Sequence, residues 1–233
     1  GGLAEFRLEP QFEAKKGDYY WIEVISQRLG LPTDPYVLVQ KVITNDAGET
    51  TVHDVQDADD SPAGPGGPGF GRPTDDPVFA FRADENAYYR ILVRDLYTAS
   101  QASPRYVYRL SIRNPQPDFQ LITAMQAPAG DPKTPPRWNP VLRKGGTTPI
   151  RILALRRDGF QGDIVVSADG LPTGVTCQPT KIVQGSNQCV LVLEAAPDAN
   201  AWTGPFTVTG RAKVGEEQLV RRARSASFVW DTP

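Results

Sequence analysis

Six aspartates are the residues of this chain best suited to act together: Asp34, Asp57, Asp59, Asp60, Asp75 and Asp76. Carboxylates gathered on loops are ligands for hard cations, and Ca2+ takes about six to eight oxygens from carboxylates and main-chain carbonyls. The stretch between Asp57 and Asp76 contains a Gly/Pro run from Ser61 to Pro73, which leaves carbonyls free for that task. The carboxylates also repel one another, and Arg72 is the one cation between Asp54 and Asp76. Two readings are open. Either the loop stays extended in water with aspartates capping its turns, or a bound cation offsets the repulsion. The spacing does not match an EF-hand.

A second group is aromatic and cationic. If 19–28 and 87–95 are strands, side chains alternate between two faces. Tyr20 and Tyr89 then take one face, while Trp21, Tyr88, Arg90 and Leu92, with Ile25 and Arg94, take the other. An exposed face of that kind could stack sugars or hold a protein segment. The alternative is that it packs against a second sheet or a neighbouring domain.

The two cysteines, Cys177 and Cys189, flank a turn-rich connection of 11 residues. A cross-hairpin disulfide suits that spacing and implies an oxidising compartment. The other reading is two free thiols behaving as small hydrophobes. Catalytic chemistry finds little support. His53 is the only histidine and has no evident nucleophile beside it, and no Gly-x-Ser-x-Gly occurs. We expect no enzyme.

The elements that must position these residues are strands. The 22 Pro and 21 Gly are scattered through all 233 residues and leave no room for long helices. Hydrophobic content of 39% against 22% charged predicts a folded chain. The balance of 25 basic and 27 acidic residues argues against a nucleic-acid binder acting by bulk charge. No apolar run approaches the ~18 residues that membrane insertion by a helix requires. The chain begins Gly1-Gly2 and reads as an excised fragment or processed product.

Alternating strands are expected over 4–8, about Phe12 after Pro10, and over 19–28, 36–44, 50–55, 78–81, 88–94 and 106–112. Asn114-Pro115-Gln116-Pro117 is the best boundary, because alternate prolines make a stiff joint. Beyond it strands are expected over 119–125, 148–156, 163–168, 175–178, 188–194, 206–214 and 218–230, with a Pro-rich loop ending at Pro140. The fold class is therefore all-β, two β-sandwich domains in tandem, 1–114 and 115–233.

The first half resembles the bacterial pre-peptidase C-terminal (PPC) domain, a jelly-roll-like module of secreted proteins. The matching text is Leu31-Pro32-Thr33-Asp34-Pro35-Tyr36-Val37-Leu38, Asp46-Ala47-Gly48, Asp59-Asp60, Asp76-Pro77-Val78-Phe79-Ala80-Phe81 and Tyr89-Arg90-Ile91-Leu92-Val93-Arg94-Asp95. It departs from that family where Glu85-Asn86-Ala87 replaces the usual Asp-Gly, and in a longer Gly/Pro insertion at 61–73. The second half resembles an Ig-like module through Gly170-Leu171-Pro172-Thr173-Gly174-Val175-Thr176 and Gly204-Pro205-Phe206-Thr207-Val208-Thr209-Gly210. The whole is similar to segments of large secreted proteins of planctomycete-type bacteria. The resemblance implies an extracellular, cell-surface or periplasmic spacer or adhesion module whose partners are other domains of its own polypeptide. It also implies possible Ca2+ binding, as in some collagenase-attached members. The alternative is a module that binds polysaccharide or an extracellular protein and so targets an attached enzyme.

Overall fold

A computed structural model describes residues 10–62, 73–96, 104–125 and 139–226. The strand expected over 4–8, the centre of the Gly/Pro run, the Pro-rich loop up to 138 and the last strand beyond 226 lie outside the described residues. The chain divides into two compact units, Gly1–Gln116 and Pro117–Pro233.

The first unit contains β1 (Gln11–Ala14), β2 (Tyr19–Ile25), β3 (Pro35–Thr44), β4 (Thr50–Ala58), β5 (Val78–Arg82), β6 (Ala87–Asp95) and β7 (Arg109–Arg113). They form a four-stranded sheet in the order β1-β6-β3-β4 and a three-stranded sheet in the order β5-β2-β7. The inward residues of both sheets share one core of Ile22, Val24, Val37, Val39, Phe81, Tyr89 and Ile91. This is the β-sandwich that the alternation predicts.

The second unit contains β8 (Asp118–Met125), β9 (Thr147–Arg157), β10 (Ile164–Asp169), β11 (Val175–Cys177), β12 (Thr180–Ile182), β13 (Gln188–Ala195), β14 (Thr207–Val214), β15 (Glu217–Arg222) and β16 (Arg224–Ser225). One sheet runs β11-β13-β9-β8-β16 and the other β12-β10-β14-β15. Phe119, Leu121, Ile150, Ile152, Ile164, Val166 and Leu191 fill the space between them. Gly210 on β14 is glycine because a Cβ there would run into Leu121, Ile164 and Phe119 of that core. Arg156 pins two turns of this unit, the one at Gly162 and the one over Val183–Ser186. Its guanidinium donates to Ser186 O at 3.1 Å, Gly162 O at 2.7 Å and Val183 O at 3.0 Å, and lies 5.3 Å from the Phe160 ring centroid.

Three expectations need correction. The strand expected over 218–230 stops at Arg222. The chain changes sheets at Ala223, and Arg224–Ser225 pairs in parallel with Ile122–Thr123 of β8. The hairpin strand expected to end at Val55 runs on to Ala58, across an irregularity between Val39 and Gln40 of its partner. Asp57 therefore stands on a strand and not on the acidic loop. The Cys177–Cys189 bond is the third.

Both cysteines are free. Cys177 lies opposite Leu193 of β13, whereas Cys189 lies opposite Ile152 of β9. Cys189 is four residues along β13 from Leu193, about 13 Å at the ~3.3 Å rise of a strand. A disulfide tolerates no more than ~7 Å between Cα atoms. Both side chains pack against the core as small hydrophobes. Burial raises the Cys177 thiol above its ordinary pKa and pushes Cys189 to about 11. Both thiols are expected to alkylate fully in denaturant without reductant, and Cys189 slowly in the native protein. Intact mass checks this, and a species that resists alkylation until reduced would contradict it.

Candidate functional site

The acidic residues collect at one end of the first sandwich, where β2 ends and β3 begins. A single 3-10 turn, Gln27–Leu29, follows β2 and is closed by Gly30 at a φ of 83°. A left-handed residue at that point is easy only for glycine. The turn hangs on one buried carboxylate. Asp76 Oδ1 accepts from the Ser26 and Gln27 amides at 2.8 and 2.7 Å. Its Oδ2 accepts from the Arg28 amide at 2.9 Å and from Arg28 Nε at 2.8 Å. Arg28 also reaches Glu23 Oε1 and Val24 O. Burial alone would raise the Asp76 pKa, but the bonds from Arg28, Ser26 and Gln27 outweigh it and hold the carboxyl below its ordinary value.

The acidic loop is tied at its base. Ser61 and Thr74 exchange backbone hydrogen bonds at 2.8 and 3.1 Å. Thr74 Oγ1 and the Asp75 amide both donate to Gln27 Oε1, at 2.7 and 3.2 Å. Asp59 and Asp60 stand just before this bridge and Asp75 just after it. Asp34 arrives from the connection into β3, held by its own amide on Asp95 Oδ1 at 3.1 Å and by the Leu96 amide on its carbonyl at 2.8 Å.

The result is a group of three. One carboxylate oxygen from each of Asp34, Asp59 and Asp60 lies within 4.8 Å of the others. Asp34 Oδ1 is buried and has no hydrogen-bond partner among the described residues. Burial raises the Asp34 pKa, and the charges of Asp59, Asp60, Asp75 and Asp95 raise it further. A half-buried carboxylate with one buried, unpartnered oxygen and like charge around it destabilises the fold at neutral pH. A hard cation among these oxygens would offset both costs, so the donor set fits Ca2+.

The structure thus sorts the six aspartates. Asp34, Asp59 and Asp60 come together. Asp75 contributes charge beside them. Asp76 is not a ligand, because its two oxygens are taken by four donors. Asp57 points off β4 and accepts from the Tyr36 hydroxyl at 3.1 Å, outside the group of three. Asp95 stands outside the six aspartates that sequence groups together. Its signal is the antiparallel register that sets it opposite Pro35, beside Asp34.

The aromatic group divides between the sheets. Trp21 lies on the outer face of the three-stranded sheet, between Ala80 and Arg113. Tyr88, Arg90 and Leu92 lie on the outer face of the four-stranded sheet, beside Val42, Gln40 and Leu38. These faces look away from a shared core, so Trp21 and Tyr88 do not form one surface. Tyr88 is 54% exposed while Leu92 is buried. Arg90 Nε donates to Gln40 Oε1 at 2.7 Å.

The described residues define an all-β protein of antiparallel sandwiches with one acidic cluster. Comparison with protein-family models finds no match to the chain, and a search of curated proteins finds no relative of it.

Proposed function

We propose that the chain is a non-catalytic pair of extracellular modules, a spacer or adhesion unit of a secreted or cell-surface protein, with its first unit locked by Ca2+. The supporting observation is the Asp34 carboxylate, which comes within 4.8 Å of those of Asp59 and Asp60 and has a buried Oδ1 with no partner among the described residues. Asp76 and Arg28 in the first unit and Arg156 in the second are committed to holding turns. The cation joins the β2–β3 connection to the base of the acidic loop and so fixes the end of the sandwich. The exposed Tyr88 supports a second reading, a module that binds a glycan or protein segment on the four-stranded face.

Extracellular modules hold Ca2+ with Kd of roughly 0.1–1 mM, so ~10 mM should stabilise the first unit by roughly 1.4–2.7 kcal/mol. Mg2+ should stabilise less, because it demands a tighter octahedral shell. Asp34→Asn distinguishes this from general screening. With EDTA at neutral pH it should melt above the parent, since it removes a charge held there at a cost. With Ca2+ it should gain nothing. Melting curves of the parent that coincide in EDTA, Mg2+ and Ca2+ at constant ionic strength would leave a solvated acidic loop.

A further inference from the structure

The near-neutral balance of the whole chain hides a separation. The first unit has 12 Lys and Arg against 17 Asp and Glu, the second 13 against 10. Part of that positive excess stands on one surface, the outer face of the sheet β12-β10-β14-β15. The inward residues of these strands, Ile182, Ile164, Val166, Val208 and Ala212, belong to the core. Their neighbours must therefore point outward.

Register sets out what the outer face carries. Lys181, Val165, Arg211 and Val220 form one row across all four strands. Arg222 stands in the next row, opposite Thr209, and Lys213 lies two residues along β14 from Arg211. Lys181 and Arg211 are two strands apart, about 10 Å, and Arg211 and Lys213 about 7 Å. Lys181, Lys213 and Arg222 are exposed, and none has an ion pair among the described residues. Arg211 donates to Ser167 Oγ at 2.8 Å and is 4.0 Å from the exposed Asp169 carboxylate, a weak contact in water. Val165 and Val220, 38% and 48% exposed, flank Arg211 with apolar surface.

The geometry points to this face as a binding surface for an anionic polysaccharide, one bearing sulfate or carboxylate groups. Among the described residues, Lys181, Arg211, Lys213 and Arg222 share this face, and the 4.0 Å contact of Arg211 with Asp169 leaves the other three without an ion pair. The surface is spread over four strands, which suits charges strung along an extended polymer. An acidic peptide fits less well. The main chains of β10 and β14 are paired on both sides, so this face offers a peptide side chains only. The inference is independent of the cation at Asp34, which lies in the other unit.

Affinity electrophoresis of the full chain tests it, in native gels containing dextran sulfate, polygalacturonate or neutral dextran. Saturable retardation is expected with one or both polyanions, not with neutral dextran, and should weaken steeply with salt. Arg211→Glu with Arg222→Glu should weaken it about tenfold or more, since four units of charge change on one face. Arg143→Glu with Lys144→Glu alters total charge equally on an exposed turn outside this sheet and should leave most of the affinity. Equal loss in the two double variants would reduce the effect to bulk charge and overturn the proposal. So would unchanged binding in Arg211→Glu/Arg222→Glu with its circular dichroism intact. Retention by poly-glutamate and by neither polysaccharide would make the face a protein-binding surface instead.

Discussion

Asp76→Ala is expected to destabilise the first unit by about 3–5 kcal/mol, the cost of removing one partner from a buried ionic network. The side chain is fully buried and accepts four hydrogen bonds, three from consecutive amides. Without it, the Ser26, Gln27 and Arg28 amides lose their acceptor, and the Arg28 guanidinium keeps only Glu23 and Val24 O. Asp76→Asn should recover part of the loss at best, because its amide nitrogen would face N–H donors. The same network fixes an acid limb. A carboxyl whose folded pKa is depressed contributes stability that is complete above its unfolded value, about 3.9. That contribution disappears as pH falls through the lower folded value. Asp34 has the opposite sign. Its raised pKa favours the folded state when it is protonated, and that favour is lost as pH rises through the raised value. Chemical denaturation at pH 7 and at pH 3 should therefore show the Asp76→Ala penalty shrinking in acid. A penalty that does not change with pH would mean that the lost contacts are not those of a carboxylate.

Tyr89→Ala is expected to cost about 3–5 kcal/mol, as for other large aromatic truncations in a core. Tyr89 is wholly buried, with the Phe81 ring 5.0 Å away edge-on and the Phe12 ring at 6.1 Å. Its hydroxyl emerges at the core edge and donates to Asp84 Oδ1 at 2.6 Å, with the Glu85 amide donating to it at 3.3 Å. Lys41 Nζ closes the group at 3.2 Å from Asp84 and 3.3 Å from Glu85. Tyr89→Phe keeps the ring and loses the hydroxyl, so it should cost only about 1–1.5 kcal/mol. The Asp84 carboxyl, held low first by the Tyr89 hydroxyl and then by Lys41, should move up towards its ordinary value. Equilibrium denaturation separates the two variants, and NMR titration of Asp84 reads the hydroxyl alone. Equal costs for Ala and Phe would show that the hydrogen bond and not the packing dominates here.

Much of the strand framework is legible without coordinates. Tyr20, Ile22 and Val24 face inward as their spacing requires, and so do Tyr89, Ile91 and Val93. The hairpin at Asn45–Gly48 reads from its turn residues, with Asn45 Oδ1 accepting from the Ala47 and Glu49 amides. The short β12 is not among the expected strands, because a three-residue strand between turns carries no period to detect.

Which residues alternate, where turns break the chain and that aspartates gather between strands can all be read along the chain. Those are local properties, set by side-chain period and by the dihedral preferences of Gly, Pro and Asn. Only the tertiary structure decided how the aspartates divide. Asp75 and Asp76 are adjacent in the chain, yet Asp76 is turned inward onto the amides of a turn 50 residues away, while Asp75 lies beside Asp34. The same holds for the cysteines, whose 11-residue connection suits a hairpin bond until register sets them on strands that do not bring them together. It holds for Trp21 and Tyr88, placed on outward faces by the same alternation but on sheets that look in opposite directions. Sequence spacing fixes the face a side chain takes, and the pairing of distant strands fixes what it meets there.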